Sequence, residues 1–258
     1  MLKKSVLAVV LLFVATNVWA VRGPQDVTKT VHNLGKDSPL TIGGDGYATN
    51  EDEVCIFCHT PHGGTLNGPL WNHNLTDTSV DGFTHYSSAT LSGYFSQPGL
   101  EKTRPVNTES LLCLGCHDGT TAMNSIVNSS NRTGALPNNG NAMPVMMWGG
   151  SNPVIGEPAD PLAVPAIPAG RNLTDDHPIS FSYTDAQAHG DNTGKLHTPA
   201  DAKNNGGIRF FGATNRVECS SCHDPHVDYY SASGNTAYTP FLITPNAASA
   251  LCLACHVK

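Results

Sequence analysis

The stretch Cys55-Ile56-Phe57-Cys58-His59-Thr60-Pro61-His62 places two cysteines and two histidines within eight residues. All eight cysteines of the 258-residue chain fall into four pairs of this form, and none is left over. The other three are Cys113-Leu114-Gly115-Cys116-His117, Cys219-Ser220-Ser221-Cys222-His223 and Cys252-Leu253-Ala254-Cys255-His256. Histidine is 12 of 258 residues, so a histidine after all four pairs by accident has odds of roughly one in 10⁵.

Three chemistries compete for such a pattern. A disulfide framework explains the even cysteine number but gives the histidines no role. Structural zinc uses thiolates and imidazoles, yet does not need a histidine directly after each pair. Covalent c-type haem needs both features, because two thiols bond the porphyrin's two vinyl groups and the adjacent imidazole reaches the iron. Four c-type haems are therefore expected. Their thioether cysteines would be Cys55, Cys58, Cys113, Cys116, Cys219, Cys222, Cys252 and Cys255. Their proximal iron ligands would be His59, His117, His223 and His256.

The rest of the composition agrees. Residues 1–20 begin with Lys3 and Lys4, continue through an apolar run from Val6 to Ala15, and end at Val18-Trp19-Ala20. This reads as a secretory signal peptide, too short in its apolar part to span a bilayer. No later segment approaches a transmembrane length. Removing Lys3 and Lys4 from the 14 Lys+Arg leaves 12 against 21 Asp+Glu, an acidic balance that disfavours nucleic-acid binding. Charged residues are 14 % and Gly and Pro number 25 and 18. Such a chain has little material for an aliphatic core, and the haem plates are expected to supply much of the buried apolar surface.

The four motifs alternate in kind. The first and third continue alike, as CIFCHTPH and CSSCHDPH, and the second and fourth begin alike, as LCLGCH and LCLACH. The order A, B, A, B reads as a duplicated two-haem module. Residues 21–123 form the first module and 173–258 the second. Between them, 124–172 is a connector rich in Pro, Gly and Asn, expected to be irregular rather than helical.

The repeat also narrows the sixth ligands. His62 and His226 hold matching places in the A motifs. His73 and His85 have no counterparts between His226 and His256, so they are set aside. His32 is the sole histidine upstream of Cys55, while His177, His189 and His197 all precede Cys219. Methionine ligation by Met143, Met146 or Met147 is the weaker option, since these lie in the connector. Three residues span at most ~10 Å, so His62 is not expected to serve the haem of His59. It should reach a second haem, as should His226. Whether each reach stays within a module is open.

The strings HNL, CIFCHTPHG, PLW, LCLGCHDGT, DHPISFSY, CSSCHDPH and LCLACH resemble the doubled-CxxCH multihaem c-type cytochromes of metal-reducing bacteria, most closely the extracellular tetrahaem cytochromes of the OmcE type. The resemblance covers the chain after the signal peptide except the connector. It implies sixth ligands at His32, His62, His177 and His226, and so selects His177 over His189 and His197. It also implies assembly into filaments carrying a continuous line of bis-histidine haems.

The expected fold is mostly irregular coil with short helices and little sheet, a multihaem cytochrome c fold organised around four covalently bound haems. The expected function is electron transfer rather than enzymatic turnover. Electrons would pass along closely spaced haems in an extracellular or cell-surface homopolymer, with redox-partner cytochromes and extracellular electron acceptors as partners. A monomeric periplasmic carrier, or the electron-feeding subunit of a reductase, is the alternative. A reductase with one open haem would require one sixth ligand to be missing. His32, in an N-terminal arm, could serve a haem of its own chain or of a neighbouring one.

Overall fold

The computed structural model describes residues 25–36, 38, 51–64, 68, 70–73, 83–100, 104–118, 123–128, 172–229, 231 and 233–258, with the backbone of 137–138 and 141–142. The signal peptide, most of the connector and its three methionines lie outside these residues.

The chain is mostly coil carrying short helices and very little sheet. The described residues form five α-helices, α1 (Thr108–His117), α2 (Tyr183–Ala188), α3 (Pro199–Gly206), α4 (Cys219–Cys222) and α5 (Ala250–Cys255). Six two-residue strands pair off: β1 (Thr84–His85) with β4 (Asn172–Leu173) in parallel, and β2 (Pro137–Asn138) with β3 (Asn141–Ala142) antiparallel. The third pair, β5 (Phe181–Ser182) with β6 (Arg216–Val217), is also antiparallel. The β2–β3 ladder is regular structure inside a stretch that its prolines and glycines mark as irregular.

Local chemistry sets the helix ends. Thr198 caps α3 by accepting the Asp201 amide at 3.1 Å, and Pro199 follows at the first helical position, where its missing N–H costs nothing. Gly207 closes it with φ +65°, a left-handed conformation that a side chain would strain. In α1, α4 and α5 a Cys-x-x-Cys pair lies at i and i+3, which puts both sulfurs on one helix face. Buried Leu114, Ser221 and Ala254 sit between those cysteines and turn the opposite face inward. The first pair instead begins in a 3₁₀ turn, Val54–Phe57, on which Ile56 and Phe57 are buried.

The apolar core is divided. One cluster holds Ala202, Ile208, Leu242, Ile243, Leu251 and Ala254, all from the second half. A second joins Phe83, Val106 and Leu114 to Leu173 and Ile179, and a third joins Tyr94 to Phe181, Tyr183, Ala186 and Val217. Two of the three clusters thus mix residues of 21–123 with residues of 173–258. The halves that repeat in sequence share their cores in space.

A buried polar hub reinforces the join. Glu218, fully buried immediately before Cys219, accepts from Asn107 Nδ2 at 2.8 Å, Ser110 Oγ at 2.7 Å, Ser180 Oγ at 3.1 Å and Arg216 Nε at 3.2 Å. Ser110 Oγ also accepts the Cys219 amide at 3.1 Å. The start of α4 is therefore bound to the first turn of α1.

Candidate haem centres

Each cysteine pair lies against the next. The Cys58 thiol is close enough to Cys116 to push its pKa up, after burial, which is the larger cause. Cys113 and Cys219 are hydrogen-bonded to each other, which raises Cys113 and lowers Cys219. Burial pushes Cys222 up to about 12, with Cys255 and Cys252 adding to it. The four cysteine motifs therefore follow one another in space in their sequence order. None of the eight cysteines is in a disulfide.

The histidines pair in a different pattern. His32 lies opposite His117 with ring centroids 6.2 Å apart. His226 lies opposite His59 at 6.3 Å, and His177 opposite His256 at 6.3 Å. Two imidazoles bonded to one metal, with metal–nitrogen bonds of ~2.0–2.1 Å and ~1.1 Å from nitrogen to ring centre, would have centroids ~6.3 Å apart. The three centroid separations are alike, and each is close to that spacing.

A metal requires the neutral ring. Burial lowers the pKa of His32 to about 3, with neighbouring His117 adding to the shift. Burial likewise lowers His117, His177 and His256. Hydrogen bonds at Nδ1 fix several rings, so that a metal would meet them at Nε2. His177 Nδ1 lies 2.8 Å from the Pro178 carbonyl, His223 Nδ1 2.9 Å from the Pro240 carbonyl, and His226 Nδ1 2.8 Å from Asp224 Oδ1.

Of the four histidines singled out as sixth ligands, three thus stand opposite a histidine that follows a cysteine pair. His62 is the exception. It is exposed, and among the described residues its carbonyl is engaged by Thr60 Oγ1 at 3.0 Å and Asn128 Nδ2 at 3.3 Å. His223, also exposed, has no histidine ring opposite it among the described residues. His32 is held within its own chain, not free as an arm. The Gln25 backbone bridges Val227, and the Asp26 amide donates to the His226 carbonyl at 3.0 Å.

The histidines set aside have other surroundings. His85 is buried, with Nε2 3.0 Å from the Arg104 carbonyl, and His73 is buried with Nε2 3.8 Å from Cys116 Sγ. His189 packs on Tyr94 and caps the turn that follows α2. The His197 carbonyl accepts from the Tyr183 hydroxyl at 2.8 Å. Among the described residues, no three or more His, Cys, Asp or Glu side chains form a cage for a bare metal ion.

Sequence reasoning missed two supports of the site. Glu218 gave no signal, being one glutamate among many. Asp224 did give one, because it is one of three positions at which CSSCHDPH departs from CIFCHTPH, and the one charged residue among them.

No helix among the described residues is long and apolar enough to cross a membrane. Compared with models of known families, the chain matches none, and no curated protein matches it.

Proposed function

We propose that the chain is a tetrahaem c-type cytochrome that passes electrons along a line of four haems and polymerises head to tail to extend that line outside the cell. The observation that carries this reading is the set of three histidine pairs at 6.2, 6.3 and 6.3 Å, each containing one histidine that follows a cysteine pair. A bound haem supplies one-electron iron chemistry, and the chain's residues decide what that iron is allowed to do. Paired imidazoles close both axial positions and leave no site for substrate, which suits transfer rather than catalysis. Abutting cysteine pairs hold successive haem edges close together.

The pairing pattern accounts for polymerisation. Within each half, the upstream histidine serves the B motif: His32 for His117, and His177 for His256. The tail of the second A motif serves the first A motif, His226 for His59. Applied once more, the same rule sends the tail of the first A motif, His62, to the A motif of a preceding half. That half belongs to another copy, and its A-motif histidine is His223. Both residues are exposed on the isolated chain, as are His177, His226 and His256. The contact is heterologous, so repetition gives an open filament rather than a closed ring. The junction between copies would repeat the junction between halves.

Replacing His62 with Ala tests the proposal. The expected product is a red monomer in which one iron of four is high-spin and binds carbon monoxide when reduced. Replacing His32 with Ala should open a different iron and leave filaments intact. Filaments with an all-low-spin ferric spectrum in the His62→Ala protein would refute the interchain ligand. A colourless protein would refute the haem reading. The exposed His223 also favours a second reading, an open-haem reductase, which the native filament would exclude by showing no carbon monoxide binding.

A further inference from the structure

The two A motifs differ at one position between their histidines and prolines. In the first it is Thr60, whose hydroxyl is turned to the His62 carbonyl at 3.0 Å. In the second it is Asp224, whose carboxylate is buried and turned to the ring of the histidine two residues on. Asp224 Oδ1 takes both the His226 ring Nδ1–H at 2.8 Å and the His226 amide at 3.1 Å. Asp224 Oδ2 takes Arg209 Nη2 at 2.7 Å. The result is a relay, Arg209–Asp224–His226, ending on a ring that faces His59.

Resting on the haem reading above, we propose that Asp224 is a positioning residue for the His226 ligand. It makes the iron between His59 and His226 the most difficult to reduce of the three that are closed within the chain. A carboxylate draws the Nδ1 proton more strongly than a carbonyl does, and so makes Nε2 a better electron donor. Stronger donation favours Fe(III) over Fe(II) when one electron is added from an electrode or a neighbouring haem. Among the described residues, two other rings have a peptide carbonyl at Nδ1, Pro178 for His177 and Pro240 for His223, and a buried carboxylate, Asp118, acts on His117 through its charge. Arg209 tempers the effect but also orients the carboxylate, and burial keeps solvent from competing for it.

The structure supplies a way to read this iron separately. The rings of His59 and His226 are 10° from parallel, whereas those of His32 and His117 are 82° apart and those of His177 and His256 70°. Parallel imidazole planes donate into one of the two iron π orbitals and split them, giving a rhombic ferric EPR signal. Crossed planes leave the orbitals nearly degenerate, giving a signal with one large g value.

The test is a reductive titration of the intact red protein followed by EPR. In the wild type, the rhombic signal should vanish after both large-g signals. In Asp224→Asn, its midpoint should rise by a tenfold change in the Fe(III)/Fe(II) ratio, about 59 mV, while the large-g signals stay in place. Asp224→Glu, which keeps the carboxylate, should recover much of the shift. The proposal is overturned if the wild-type rhombic signal vanishes first, if Asp224→Asn moves it less than twofold, about 18 mV, or if all signals move together. The wild-type ordering stands as a test even where a variant yields no protein. Absence of any haem signal would refute the haem reading instead.

Discussion

Replacing Glu218 with Ala should be among the most damaging single changes outside the cysteines and histidines. Its carboxylate accepts four side-chain hydrogen bonds, from Asn107, Ser110, Ser180 and Arg216. Bonds to a charged group contribute about 1.5–3 kcal/mol each, but the four do not add fully on truncation. Arg216 is partly exposed and keeps its pairing with Glu109, and Asn107 is half-buried, so both can be rehydrated. Ser110 and Ser180 are buried and cannot be. The net loss should be close to that of breaking a buried pair, about 3–5 kcal/mol. For a chain of this size that is a fall in melting temperature of roughly 6–20 °C. Glu218→Gln keeps the shape and loses the charge, and should fall between the two. Equilibrium unfolding in guanidinium, followed by tryptophan fluorescence and by the Soret band, measures both variants. A loss below about 1 kcal/mol for Glu218→Ala would show that the hub does not join the halves.

Two further outcomes follow from buried groups outside the histidine pairs. Burial, with the Arg104 charge beside it, lowers His85 to about 4, so the folded chain takes up its proton later than the unfolded chain does. Stability from this residue is complete above pH 6.5 and drains away as pH falls toward 4, by about 3 kcal/mol in all. The difference in unfolding free energy between wild type and His85→Gln should follow that curve, and parallel pH profiles would contradict it. A methyl group added at Gly206 would clash with Ala254 Cβ, inside the fourth Cys-x-x-Cys. Gly206→Ala should therefore cost about 1–3 kcal/mol, and Ala254→Gly in the same chain should restore most of it. Independent, additive losses would refute the contact.

Much of this arrangement is legible in the amino-acid order alone. Repeated cysteine pairs mark the motifs but not their conformation: three lie on α1, α4 and α5, and the first, of the same spacing, begins in a 3₁₀ turn. The sparse aliphatic content announces coil and divided clusters. The four histidines picked by repeat and resemblance include the three that stand opposite motif histidines. The pairing among them is hidden. His226 is as close in sequence to His223 as His62 is to His59, and nothing local says that it turns toward residue 59. That choice is made by the path of the chain through Glu218, β1–β4 and the docked segment at 25–36. These are contacts between residues far apart in sequence, and they leave no periodic trace. Gly206 is equally silent, since its need for a missing Cβ comes from α5 pressing on it.

The His59–His226 pair also sets an order of completion. His117 waits for nothing, because His32 precedes it, and His256 finds His177 already made. His59 must wait for a ring 167 positions further along, from residue 59 to residue 226. The two B sites can therefore close as soon as each half is synthesised. The first cysteine pair to be made stays one-sided until most of the chain has followed. Closing so long a loop is slow relative to local contacts. On the haem reading, the first site is the last within the chain to gain its second ligand.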